Sequence, residues 1–318
     1  MSFIGGGSDL RSYYKYGYGA VISTSIDRYV YIMVNKKFAD IYRVGYSKTE
    51  EKKSIDEIEH NLVRESLKMV GVKNPGIDIV YTSDMLPAHQ GSGLGSSSSI
   101  LVGTLHALYA YIGKYVSSKS LAEDACNIEV DILKNPIGKQ DQYAASYGGF
   151  NFIKFNSNET VDVFPIVMSR NTMDELVDNI MVFYTGINTR SDSILTEQNK
   201  DNSKNKKIID NMVLMTEAAR DYLHMNDLNG FAQLLNKGWN SKKKLSNKIS
   251  NSLIDRYYNK AINSGAIGGK ILGSGGGGFL MIYCEPKYKD KVRDSLSNLK
   301  ETKFNFDRQG SRIIYVDN

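Results

Sequence analysis

Pro87-Ala-His-Gln-Gly-Ser-Gly-Leu-Gly-Ser-Ser-Ser-Ser99 decides how this chain is read, because three closely spaced glycines run straight into four serines and then into an apolar segment. Upstream, Ile77, Ile79 and Tyr81 alternate with Asp78 and Val80 as in a strand. Downstream, Leu101, Leu105, Leu108 and Ile112 recur at helical spacing. The order is strand, glycine loop, helix. Without Cβ atoms, Gly91, Gly93 and Gly95 let a ligand approach the backbone, and the first-turn amides of the helix, with its dipole, suit an anion. No Lys follows the last glycine, so this is not a Walker A loop, and the glycine spacing is not the dinucleotide fingerprint. A flexible Gly/Ser linker would not sit between a patterned strand and a helix.

Working outward, 318 residues exceed one usual core and predict two domains, with 41% hydrophobic and 24% charged residues, as in globular proteins. A net charge of +5 suits anionic substrates such as nucleotides or sugar phosphates. It is too diffuse to argue for nucleic acid, a reading that only the 21 tyrosines keep open, and the lysine- and asparagine-rich stretch 199–207 has no interleaved aromatics. Cys126 and Cys284 make no metal spacing and read as free thiols, in keeping with a cytoplasmic protein. No apolar run approaches the roughly 20 residues that span a bilayer.

Near the start, Gly5, Gly6 and Gly7 are followed by Ser8 and Asp9, which either meet a polyol's hydroxyl groups or cap a helix beginning at Leu10. Residues 19–34 predict two strands around Ser25–Arg28, and 56–70 a helix stopped by Gly71. Ser120-Leu-Ala-Glu123 reads as a capping box opening a helix that carries Glu129 at the margin of its apolar face, solvated or a ligand. Asp141 follows Pro136 and Gly138 and is either a helix cap or a functional carboxylate. The second half begins near residue 160. It opens with a strand at 179–184 and continues with two helices marked by Ile208, Met212, Met215, Ala219 and Tyr222 and by Leu228, Phe231, Leu235 and Trp239. A second glycine loop, with Gly275, Gly276 and Gly277, joins two short strands, and close backbone approach to another loop or a ligand explains its glycines.

Three motifs in fixed order, Phe3-Ile-Gly-Gly-Gly-Ser-Asp-Leu10, the Gly-Leu-Gly-Ser-Ser loop and Gly273-Ser-Gly-Gly-Gly-Gly278, with Gly138-Lys-Gln-Asp-Gln142 between the last two, resemble the GHMP kinases. That family is named for galactokinase, homoserine kinase, mevalonate kinase and phosphomevalonate kinase. Within it, Tyr184-Thr-Gly-Ile-Asn-Thr-Arg-Ser191 and the first motif look most like the sugar kinases acting on D-glycero-alpha-D-manno-heptose 7-phosphate, with L-fucose kinases as near relatives. The resemblance implies a two-domain α/β (α+β) fold, residues 1–160 and 161–318, with the active site in the cleft between them. It implies ATP and Mg²⁺ as cofactors and a small sugar phosphate as partner, no nucleic acid or membrane, and is compatible with a homodimer.

Carried over by position, Gly91, Ser92, Gly93, Leu94, Gly95, Ser96, Ser97 and Ser98 would bind the ATP phosphates, Ser97 and Glu129 would hold Mg²⁺, and Asp141 would be the base. Gly6, Gly7, Ser8 and Asp9 would hold the sugar. Arg190 is the candidate for the sugar's own phosphate. The Glu129 to Asp141 spacing is one residue longer than in mevalonate kinases, which leaves Asp131 as the substitute metal ligand. In related sugar kinases an Arg precedes the first motif and would fall just ahead of Met1, so a native start about ten residues upstream is expected, with Lys139 as the cation that would otherwise take that place. A non-catalytic, sugar-sensing relative would lose the base or the metal ligand, and Asp141 and Glu129 are both present.

Overall fold

The computed structural model describes residues 1–84, 94–187, 191–200 and 202–317. In chain order, β1 (Ser2–Ile4), α1 (Arg11–Tyr14), β2 (Tyr18–Ile26), β3 (Val30–Lys36), β4 (Tyr42–Gly45) and β5 (Thr49–Lys52) come first. Then follow α2 (Asn61–Val70), β6 (Ile77–Ser83), α3 (Ser96–Tyr111), α4 (Ser118–Cys126), α5 (Gln140–Tyr147), β7 (Phe150–Asn156), β8 (Val161–Pro165) and α6 (Arg170–Asn179). The remainder is β9 (Ile180–Tyr184), α7 (Ser191–Lys200), α8 (Asn202–His224), α9 (Leu228–Lys242), α10 (Ser252–Asn263), β10 (Gly268–Ile271), β11 (Phe279–Tyr283), α11 (Lys289–Ser295), β12 (Lys300–Glu301) and β13 (Phe306–Asp307). It is a mixed α/β (α+β) fold.

Among the described residues three sheets organise it: β1-β2-β7-β8 with β13 also on β2, β3-β6-β4-β5, and β10-β11-β9-β12. Among the described residues the pairings are antiparallel except β4 with β6. The apolar residues of β1 and β2 (Phe3, Ile4, Val21, Ile22) and those of the third sheet (Phe183, Leu280, Ile282) share one continuous core with Phe231, Leu235 and Trp239 of α9. Helix α8 packs on β2, and α9 packs on both β1 and β10. The first and third sheets are therefore locked together through these helices, and the glycines after β1 lie at their junction.

Several local expectations change in the folded chain. The segment predicted as a helix from Asp56 begins instead with a single 3-10 turn, Ile55–Glu57, closed by a capping box from Ser54 to Glu57. Only from Asn61 does the α-helix run, and it stops at Gly71 with φ +81°, a left-handed conformation that glycine adopts without a Cβ clash. The cap of α4 is Ser117, whose Oγ accepts from the Ser120 amide, so Ser120 is the third helical residue and not the cap. Leu10 precedes α1 without a side-chain cap, so neither Ser8 nor Asp9 fills that role. Both cysteines are free and buried. Among the described residues no helix is long and apolar enough to cross a membrane.

Candidate active site

The first turn of α5 carries two neighbours with different tasks. Gln140 opens the helix, and its amide donates to Asp9 Oδ2 at 3.3 Å, while Asp9 Oδ1 accepts from the Gly7 amide at 2.9 Å. Asp9 thereby ties the glycine turn after β1 to the start of α5. Gly138 makes this contact possible, since a Cβ there would lie 1.9 Å from Asp9 Oδ2. Burial raises the Asp9 pKa, the Gly7 amide pulls it down, and the nearby negative charge of Asp141 adds to the rise. Ser8 is fully buried and its hydroxyl is engaged twice with one residue, donating to the Ala20 carbonyl at 2.9 Å and accepting from the Ala20 amide at 3.0 Å. Its role in the fold is to seat the glycine turn on β2.

Asp141 is the second residue of α5 and not its cap. Its side chain is exposed to solvent. Desolvation raises its pKa, and the Met1 amine, Lys242 and Lys270 oppose that rise. Gly95, in the left-handed conformation at the N-terminus of α3, faces it directly: a Cβ on Gly95 would lie 3.4 Å from Asp141 Cγ. The end of the first glycine loop and the candidate base are therefore adjacent. Of the residues assigned to ATP, Gly91, Ser92 and Gly93 lie outside the described residues, as does Arg190. Leu94 packs against the main core, and Ser96, Ser97 and Ser98 form the first turn of α3, where amides have no acceptor within the helix.

Glu129 is 1% exposed, so the solvated alternative does not hold. A π-helical turn, Asn127–Ile132, continues α4 and turns this carboxylate inward, where one extra residue per turn shifts the face presented. Its oxygens accept from Ser97 Oγ at 3.0 Å, Ser98 Oγ at 2.9 Å and Gln142 Nε2. Burial raises its pKa and these three donors oppose it. Asp131, two residues on, points elsewhere: it pairs with Arg11 at 2.6 Å near the surface, and this hydrogen bond holds its pKa down. The substitute metal ligand is thus committed to an ion pair. Lys139 is similarly engaged, with its ammonium on Glu159 at 2.6 Å and above the Tyr14 ring, so it does not serve as the cation beside Asp141.

Two cations that the sequence did not single out stand there instead. Lys242, 6% exposed at the end of α9, donates to the Gly273 carbonyl at 2.7 Å, and burial lowers its pKa to about 8 against the pull of Asp9 and Asp141. Lys270 of β10 donates to the Ser2 carbonyl at 2.8 Å, and burial, with Lys242 adding, drives its pKa well below the ordinary lysine value. The second glycine loop approaches backbone: Cβ atoms on Gly275 and Gly277 would meet the Ile249 and Ile187 carbonyls at 2.7 and 2.3 Å, and the Gly276 amide donates to Ile249 O. It braces the Lys242 and Thr185 regions, the latter through Gly278 O.

Such a site, in which a glycine-capped helix N-terminus faces a carboxylate on a second helix and buried lysines arrive from a third layer, belongs to a phosphotransferase fold. Residues 59–149 match the family model of the GHMP kinases N terminal domain and residues 215–301 that of the GHMP kinases C terminal. The chain is 30% identical to D-glycero-alpha-D-manno-heptose 7-phosphate kinase of Campylobacter jejuni over 91% of its own length and 88% of that protein. A crystal structure of a D-glycero-D-manno-heptose 1-phosphate kinase from Bacteroides thetaiotaomicron superposes with a TM-score of 0.81 at 25% identity, covering 99% of this chain and 97% of that one. A putative sugar kinase from Campylobacter jejuni gives 0.75 at 26% identity, covering 98% and 94%. The chain belongs to the GHMP kinase family, and it is an ATP-dependent kinase.

Proposed function

We propose that this protein transfers the γ-phosphate of ATP to the anomeric hydroxyl of D-glycero-alpha-D-manno-heptose 7-phosphate, giving the 1,7-bisphosphate. The 30% identity to a heptose 7-phosphate kinase over 91% of the chain carries the choice of substrate, and the nearness of Asp141 to Gly95 supports the choice of base. Residues 1–160 and 161–318 are proposed as the two kinase domains. Phosphoryl transfer asks the protein to position groups and neutralise charge. The α3 N-terminus would receive phosphate oxygens on its first-turn amides. Asp141 would accept the hydroxyl proton, and an anomeric hydroxyl, more acidic than an ordinary alcohol, needs only a modest base. Lys242 and Lys270 would keep Asp141 ionised against its desolvation and offset the charge that develops on the transferring group.

The residues fit Mg²⁺. Ser97 and Glu129 present oxygen donors only, and Gln142 Oε1 is a buried acceptor without a partner among the described residues beside them. One carboxylate and one hydroxyl leave positions for water and phosphate, the arrangement Mg²⁺ favours. When bound there, held by Ser97 and Glu129, it would neutralise phosphate charge. Arg190 is proposed for the 7-phosphate, and Arg190→Ala should then weaken the phosphorylated sugar more than a free sugar. ADP release from Mg-ATP over a panel of heptose 7-phosphate, heptose 1-phosphate, L-fucose and galactose tests the whole reading. Preferred turnover of fucose, or no turnover of any sugar, would overturn it.

A further inference from the structure

Ser8 is committed to Ala20, and Asp9 to the Gly7 and Gln140 amides, so the Ser-Asp motif leaves little with which to read an acceptor. Three other polar side chains, from α5, α7 and α9, converge on the same glycines. A methyl group on Gly6 would lie 3.5 Å from the Lys242 ammonium and 3.6 and 3.8 Å from the nitrogen and oxygen of the Gln140 carboxamide. One on Gly7 would lie 3.7 Å from Gln198 Oε1. Gln198 is 4% exposed, yet its Nε2 has no hydrogen-bond partner among the described residues, and neither has the buried Oε1 of Gln140. A buried amide donor and a buried amide acceptor left unpaired beside one glycine turn are costly, and native proteins rarely keep them without something to bind.

We propose that the Gln140 and Gln198 carboxamides are the residues that recognise the acceptor sugar, hydrogen-bonding hydroxyl groups of a ring laid against Gly6 and Gly7 with the Lys242 ammonium beside it. The inference rests on the sugar-kinase reading and names the recognition residues within it. Carboxamides suit hydroxyl groups because each offers both a donor and an acceptor, and the two missing side chains at Gly6 and Gly7 let the ring lie close to the backbone. Gln140 adjoins Asp141 in the first turn of α5, so the hydroxyl it holds is next to the proposed base. Lys242 spends one of its three donors on Gly273 and keeps the others for the ligand.

Calorimetric titration tests this with the full chain and its Gln198→Leu and Gln140→Leu variants, against D-glycero-alpha-D-manno-heptose 7-phosphate and, separately, a non-hydrolysable ATP analogue. Each variant should bind the sugar phosphate about tenfold more weakly, the scale of one lost hydrogen bond, and the nucleotide within about twofold of the parent. Unliganded Gln198→Leu should melt at or above the parent, since an unpaired buried amide has been removed. Sugar affinity unchanged in both variants, or an equal loss of both ligands with a lowered melting temperature, would make the glutamines structural and overturn the proposal. Gln140 is only half-buried, so its variant decides the matter if Gln198→Leu fails to fold. A parent protein that does not bind this sugar phosphate overturns the proposed acceptor, and this proposal with it.

Discussion

Replacing Asp141 by Asn tests the catalytic assignment most directly, because the structure separates its effect on chemistry from its effect on folding. Among the described residues Asp141 accepts no hydrogen bond, and Asn has the same shape against Gly95, so no hydrogen bond is lost and no packing is strained. Desolvation raises its pKa above the ordinary aspartate value in spite of the Met1 amine, Lys242 and Lys270. A carboxyl with a raised pKa binds protons more tightly in the folded protein, so its ionised form is a liability at neutral pH. Asp141→Asn should therefore melt at or above the parent at pH 7.5, and the difference should vanish as pH falls through the carboxyl's folded pKa. Loss of a general base lowers turnover by about 10²- to 10⁴-fold, or about 2.7 to 5.4 kcal/mol in the barrier. Coupled-enzyme measurement of ADP release at saturating substrates, with nucleotide affinity by titration, provides the assay. A folded Asn variant that keeps more than a tenth of the parent's turnover would refute the assignment.

Glu129→Gln should raise the Mg²⁺ concentration for half-maximal activity by about tenfold or more, since it removes a charged oxygen donor. Asp131→Asn should leave that concentration unchanged and cost under about 1 kcal/mol of stability, because it breaks an ion pair whose side chains are both 41% exposed. Raising the pH through about 8 deprotonates Lys242 in the folded protein while the unfolded chain keeps its proton up to about 10.5. Between those values the unfolded state binds more protons, so stability should rise with pH while kcat/KM falls, and Lys242→Met should flatten both profiles. Gly138→Ala places a Cβ 1.9 Å from Asp9 Oδ2 and should destabilise by about 1–3 kcal/mol in denaturant titration while lowering turnover, because the start of α5 must shift.

The sequence by itself determined the elements and the family. Glycine spacing, strand alternation before the loop and helical stripes after it are local signals, and β2, β3, β6, β9, α3 and α9 lie where those periods put them. The motifs named Asp141, Glu129 and Gly95 before any contact between them was visible. Local signals failed where a decision depended on distant atoms. Glu129 at the margin of an apolar face gave no sign of the π turn that buries it on Ser97 and Ser98. Ser8 and Asp9 offered a free hydroxyl and carboxylate on paper, but β2 and α5 claim them. Lys242, Lys243 and Lys244 stand side by side in the chain, and only the phase of α9 against β1 and β10 decides that Lys242 alone is buried. Lys270 and Gln198 carry no motif at all. Burial and electrostatic partnership are properties of atoms brought together across the chain, and a one-dimensional pattern encodes only the neighbours within a turn or a strand.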